Sequence, residues 1–273
     1  MARHLMAPLT LILLLLTACE RTPESAQVPT PPAAPAARLG VEGSRFVVTL
    51  ADGSQLSGSE LAGATVQFAQ DDGGLLPLRL RSIVEDPEQA GLWRHEMEVP
   101  DGQGGWQPLC EPDIEGATWG LPVELPEGHP GREARITLTC ASGAVVKCAR
   151  FGYAPWGSGP EGESLLELHA ACIHMVRADY CGDGEPWTRD GTAIDIYDDL
   201  GIQVSDSVAA AGFAFEAGWT PQGAACVAQT RWPELIDRPT LIERCPKVDA
   251  AVVCDESSAR ALGARLFNRS LVR

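Results

Sequence analysis

The sequence predicts a disulfide-rich α+β fold, β-rich in its first half and mixed α/β in its second, and three observations carry that prediction. Runs of alternating apolar and polar residues, such as RFVVTL and LWRHEMEV, fill positions 45 to 99, which is the period of half-buried strands. From Glu163 the apolar residues recur at helical spacing through ESLLELHAACIHMVRADY, and strand-like runs follow it. Eight cysteines, at 110, 140, 148, 172, 181, 226, 245 and 254, stand behind a leader that directs export; in an oxidising compartment an even set makes four disulfides the default.

The leader, residues 1–18, has the order of an export signal: Arg3, a largely apolar run from Leu9 to Leu16, then small residues up to a cysteine. Such a run falls far short of the ~20 residues that a spanning helix needs. Leu16-Thr17-Ala18-Cys19 resembles the bacterial lipobox, in which the cysteine thiol takes a diacylglyceryl group and becomes the mature N-terminus; the alternative is a secreted chain whose cleavage site holds a cysteine. Two or more acyl chains hold a protein on a membrane stably, whereas one binds marginally. Glu20 stands where an aspartate commonly retains lipoproteins at the inner membrane, which favours the outer membrane. Residues 19–38 contain five prolines and nothing that builds a core, so they read as an extended tether reaching roughly 50 to 60 Å at about 3.1 Å per residue.

Residues 39–160 read as the β-rich region. LLPLRLRSIV follows an Asp-Asp-Gly-Gly turn, and ARITLTC-ASG-AVVKCARFGY reads as a further hairpin before the boundary PWGSGPEG. Within DGSQL-SGSEL-AGATV, Gly53, Gly58 and Gly63 recur every five residues, as do Leu56, Leu61 and Val66. That spacing fits either a fragment of pentapeptide coil or a glycine-rich hairpin. Residues 161–273 form the mixed region: the helix through His169, strands at TAIDIYD and GFAFEAGW, and a closing helix over DESSARALGARLFNRS with Asp255 as N-cap. The closeness of Cys245 and Cys254, with Pro246 turning the chain between them, favours pairing those two; spacing alone leaves the other connectivities open.

Charge narrows the partners. The net charge is −16 and the only lysines are Lys147 and Lys247, so nucleic acid phosphates are repelled. Cationic surfaces, divalent ions, and envelope or extracellular proteins or glycans stay open as partners. The seven tryptophans fit either a sugar-binding face or cover over a core.

The stretch HAACIHMVRADYC concentrates the residues that could carry chemistry. On a helix His169 and His174 lie about 140° apart and cannot converge on one metal. His169 shares a core stripe with Leu165, Cys172 and Val176 and reads as a satisfied core histidine, whereas His174 is expected on the exposed side. Cys172 and Cys181 are about 13 Å apart along an unbroken helix, beyond the ~7 Å a disulfide bridges, so each is expected to staple a different neighbour. Asp179 falls at the helix C-terminus, where the macrodipole disfavours a negative charge by roughly 0.3 to 1 kcal/mol. Either the amides of the following Cys-Gly-Asp-Gly turn or a tryptophan N–H offset that cost, or Asp179 is a metal ligand or acid/base residue. An EF-hand register begun at Asp179 meets Cys181, Pro186 and Asp190 at positions that need other residues. No cofactor is implied; the metal left open is calcium at an irregular site using Asp179, Asp183 or Asp190.

At Ala178-Asp179-Tyr180-Cys181, inside CIHMVRADYCGDG, the chain resembles the ADYC-domain family, bacterial proteins named for those four residues and often described as lipoproteins. The likeness extends through KCARFGYAPW, DGTAIDIYDDLGIQ and FEAGW. It implies a domain identity and carries over no activity, ligand or catalytic residue. The leading expectation is therefore a lipid-anchored, disulfide-stabilised envelope protein with a structural or partner-binding role. The alternatives are an envelope hydrolase using His169 with Asp179 or Asp195, or a calcium-binding surface module.

Overall fold

The structure, a computed structural model, describes residues 37–69, 73–133, 135–206, 211–248 and 253–273. The leader, Cys19 and the proline-rich tether up to residue 36 lie outside the described residues. Strands β1 (Arg38–Glu42), β2 (Arg45–Thr49) and β3 (Gln55–Ser57) form an antiparallel meander. A 3₁₀ turn, Gly58–Leu61, leads to β4 (Thr65–Ala69), β5 (Leu75–Glu85), β6 (Trp93–Pro100), β7 (Trp106–Pro108), β8 (Gly120–Glu124) and β9 (Ile136–Cys140). These make one antiparallel sheet in the order β4-β5-β6-β8-β9, with β7 also on β6.

The alternation seen in the sequence explains this half. Along β5, Leu78 and Leu80 are buried while Arg79 and Arg81 turn outward, and a register shift between Leu80 and Ser82 passes the buried position to Ile83. These residues meet Phe46, Leu61 and Met97 in a core between the meander and the sheet. The five-residue glycine spacing builds no coil: Gly53 turns the β2–β3 hairpin, Gly58 opens the 3₁₀ turn and Gly63 leads toward β4, all three at positive φ.

The second half comprises α1 (Ala144–Arg150), α2 (Leu166–Arg177), β10 (Asp195–Asp198), β11 (Phe213–Thr220), β12 (Gly223–Val227), α3 (Arg238–Arg244), α4 (Glu256–Ala261) and β13 (Leu266–Leu271). Its four strands are antiparallel in the order β10-β13-β11-β12. The largest core joins α1 and α2 to β8 and to β11–β13, with Tyr153, Tyr180 and Trp219 fully buried.

Two elements differ from expectation. AVVKCAR is a helix rather than the second arm of a hairpin: Val145, Val146, Cys148 and Ala149 are buried, and packing on α2 overrides the strand preference of the valine pair. The closing segment is helical only to Ala261, capped by Asp255, whose side chain accepts from the Ser258 amide at 2.8 Å. Gly263, at φ +90, then turns the chain, and LFNRSL becomes β13 between β10 and β11 with Leu266, Phe267 and Asn268 buried.

All eight cysteines pair, with Cα atoms 5.5 to 5.7 Å apart: Cys110–Cys140, Cys148–Cys172, Cys181–Cys245 and Cys226–Cys254. Cys172 and Cys181 do staple different neighbours. The expected Cys245–Cys254 pair does not form, because α3 ends with Cys245 against the close of α2 whereas Cys254 precedes α4 and meets β12. Among the described residues no helix is long and apolar enough to cross a membrane.

Candidate functional site

Helix α2 stops at Ala178, the one non-glycine residue at positive φ among the described residues (φ +51, ψ +37). This left-handed cap turns the chain so that the Asp179 amide returns to the His174 carbonyl at 2.9 Å. It also swings the Asp179 side chain back over the last turn. There its Oδ2 accepts from His174 Nδ1 at 2.8 Å and from the Gly184 amide at 3.0 Å, and its Oδ1 from the Asp183 amide at 3.1 Å. Burial works to raise the Asp179 carboxyl, but the hydrogen bond and charge of His174 and the two amides outweigh it and hold the group below the usual carboxylate range. The amides of the turn are those the sequence suggested; the histidine is the addition.

His174 is buried, contrary to the expected exposure. A helical wheel describes only its own helix, and the far side of His174 is covered by the turn between β11 and β12, where Nε2 reaches the Pro221 carbonyl at 3.1 Å. The partners of both ring nitrogens are acceptors, a carboxylate on one side and a backbone carbonyl on the other. The same turn receives Lys147's only fellow lysine: Lys247 donates from Nζ to the Gln222 carbonyl.

The rest of the Ala-Asp-Tyr-Cys run is equally committed. Tyr180 donates from its hydroxyl to Glu216 Oε1 at 3.1 Å and accepts from the Arg231 amide at 2.8 Å. Glu216 and Arg231 form a fully buried pair, Nη2 to Oε1 at 2.9 Å and Nε to Oε2 at 3.1 Å. Arg231 also donates to the Met175 and Val176 carbonyls at 2.8 and 3.2 Å, placing a cation on the orphan carbonyls at the C-terminus of α2. Cys181 is tied to α3. Gly182, at φ +65, passes so close to the β11–β12 turn that a Cβ there would strike the Gln222 carbonyl.

The other candidates are satisfied elsewhere. His169 is 0% exposed; its Nε2 donates to the Val145 carbonyl at 3.1 Å and its Nδ1 faces His129 Nε2 at 3.2 Å, the rings stacked at 5.1 Å. His129 Nδ1 accepts from the Gly131 amide at 3.2 Å. One directional chain of two neutral rings satisfies all four nitrogens. Burial, and for His169 also its neighbour His129, pushes the two down to about 4 and about 3. Asp195, on β10, accepts from the Ser205 hydroxyl at 2.6 Å and the Asp206 amide at 3.0 Å. His169 shares no hydrogen bond with Asp179 or Asp195. Asp183 pairs with Arg244 at 3.1 Å, while Asp190 is exposed. Among the described residues no group of three or more His, Cys, Asp or Glu side chains is placed to hold a metal ion.

A groove of about 530 Å³ opens beside the motif, lined among others by Glu133, Thr139, His174, Arg177, Asp179 and Asp183. The Asp179–His174 pair at its wall is already spent on three donors and a carbonyl, which fits a clamp better than a proton-transfer pair. Sequence reasoning missed His129, Glu216 and Arg231; the one legible sign was a glutamate set inside the apolar run GFAFEAGW.

Comparison with known proteins covers the stretch that carries these residues. A family model described as the ADYC domain matches residues 58–233, which span the 3₁₀ turn through Arg231. No curated protein and no solved structure matches the chain.

Proposed function

The chain belongs to the ADYC-domain family, and from that premise we propose that it is a lipid-anchored, disulfide-stapled protein of the bacterial envelope whose folded part serves as a structural or partner-binding module. The observation that carries the reading is His169. A hydrolase built on it would need the ring to face a polar cleft, and instead both of its nitrogens are spent inside the core. The four disulfides fit an oxidising compartment. The lipobox-like Leu16-Thr17-Ala18-Cys19 supplies the anchor, Glu20 directs it to the outer membrane, and the proline-rich segment presents the domain to an envelope or extracellular protein or glycan.

The test is expression of the full chain in a bacterium with a clickable palmitate analogue, followed by membrane flotation and mass analysis of the mature N-terminus. The expected result is label and flotation that are both lost in Cys19→Ala, with the four disulfides still formed. An unlabelled chain, or a mature N-terminus elsewhere than Cys19, overturns the anchoring. Cleavage of cell-wall material that disappears in a folded His169→Gln variant overturns the non-enzymatic reading.

A further inference from the structure

A second groove, of about 510 Å³, is walled by α1, the end of α2 and the loop 186–194, and its volume falls in the range of small-molecule sites. The whole chain carries 37 acidic against 21 basic residues, yet the charged residues lining this groove are Lys147, Arg177, Arg189 and Arg231 against Asp190. Two of the cations are already answered, Arg231 by Glu216 and Arg189 by Glu234 at 3.4 Å. Lys147 and Arg177 join none of the ion pairs formed among the described residues. Asp113, which feels the charge of Lys147, is turned into its own loop and accepts from the Glu115 and Ala117 amides. Among the residues that line the groove, these two set against Asp190 leave a formal excess of one positive charge. Arg177 is held in place by its bond to the Gly184 carbonyl at 2.6 Å. Phe151, Val176 and Ile194 supply an apolar lining, and at the rim Ile114 stands 85% exposed.

We propose that this groove binds a compact monoanion, a carboxylate on an apolar body, with the carboxylate between Lys147 and Arg177 and the body against Ile114, Phe151 and Ile194. The charge of the surrounding protein selects for size. A net −16 repels polyanions approaching from outside, whereas a ligand seated in the groove lies within the ~8 Å over which charges act unscreened. Asp190 disfavours a dianion. The proposal stands apart from the anchoring reading and does not depend on it.

The test is calorimetric titration of the oxidised full chain, in non-ionic detergent, with 4-phenylbutyrate and with its neutral amide. Expected is saturable one-to-one binding of the anion that weakens with added salt, with the amide at least tenfold weaker. Lys147→Gln, at an exposed position, weakens the anion at least fivefold with an unchanged thermal melt, and Asp190→Asn tightens it. Arg177→Gln adds a second loss, read alongside near-ultraviolet circular dichroism because Arg177 also braces Gly184. Absence of saturable binding, equal binding of the amide, or an unaffected Lys147→Gln overturns the proposal.

Discussion

His174 and Asp179 face each other around the left-handed residue that ends α2, with His174 Nδ1 donating to Asp179 Oδ2 at 2.8 Å and both side chains buried. The pair binds three segments at once: the last turn of the helix, the amides of Asp183 and Gly184, and the Pro221 carbonyl of the β11–β12 turn.

Asp179→Ala strips the acceptor from a buried ring nitrogen and two amides, and leaving such a buried donor unsatisfied costs about 1 to 3 kcal/mol. Urea unfolding measures it. A loss under about 1 kcal/mol would mean that the turn holds its shape without the carboxylate.

Acid should weaken the fold before the carboxylates titrate. Burial lowers His95 and His129 to about 4 and His169 to about 3, while histidines of the unfolded chain take protons near 6.5. The stability these rings confer is therefore complete above about pH 6.5 and falls as pH drops toward the folded values, at up to about 1.4 kcal/mol per pH unit for each ring. Asp86 and Asp179, held low, give up their share only below about pH 4. Melting temperatures from pH 7.5 to 4.5 should decline across this window, and the decline should be shallower in a His129→Gln/His169→Gln double variant. A flat profile between pH 6.5 and 5 contradicts the neutral pair.

Two glycines of the same turn should respond differently. Gly182→Ala drives a Cβ into the Gln222 carbonyl at φ +65, whereas Gly184→Ala, at φ +89, meets open space. The second costs about 1 to 2 kcal/mol of backbone strain; the first should cost at least about 3 kcal/mol, because the hairpin must also move. Equal losses in denaturant midpoints would show that the two segments are not in tight contact.

The Cys181–Cys245 bridge spans 64 residues, which the chain-entropy relation values at about 4 kcal/mol. A Cys181→Ser/Cys245→Ser variant should lose stability of that order, and thiol titration of the denatured, unreduced parent should find none of the eight core cysteines free. Two titratable thiols in the parent would remove this bridge from the account.

What was legible followed from local chemistry. Alternation located β2, β5 and β6, periodicity located α2, and the Asp255 cap marked the start of α4. The misses came from partners distant in sequence. Val145 and Val146 prefer strands, and only packing against α2 and the bridge from Cys148 to Cys172 make that segment helical. The burial of His174 depends on a turn 47 residues away. Arg231 meets Glu216 and the end of α2 across three separate segments, and no spacing rule in one chain foretells that meeting.

The placement of the bridges divides the molecule mechanically. All four lie between Cys110 and Cys254, and the sequence from Arg38 to Leu109 holds no cysteine. A pull transmitted from before Arg38 reaches β1 at the end remote from its turn, since Arg38 lies opposite Thr49 and Glu42 opposite Arg45. The β1–β2 hydrogen bonds are then loaded in succession, and the pair unzips instead of shearing. Under tension the chain is expected to yield first at β1, and the disulfide loops 110–140, 148–172 and 181–254 limit how far the rest can be drawn out.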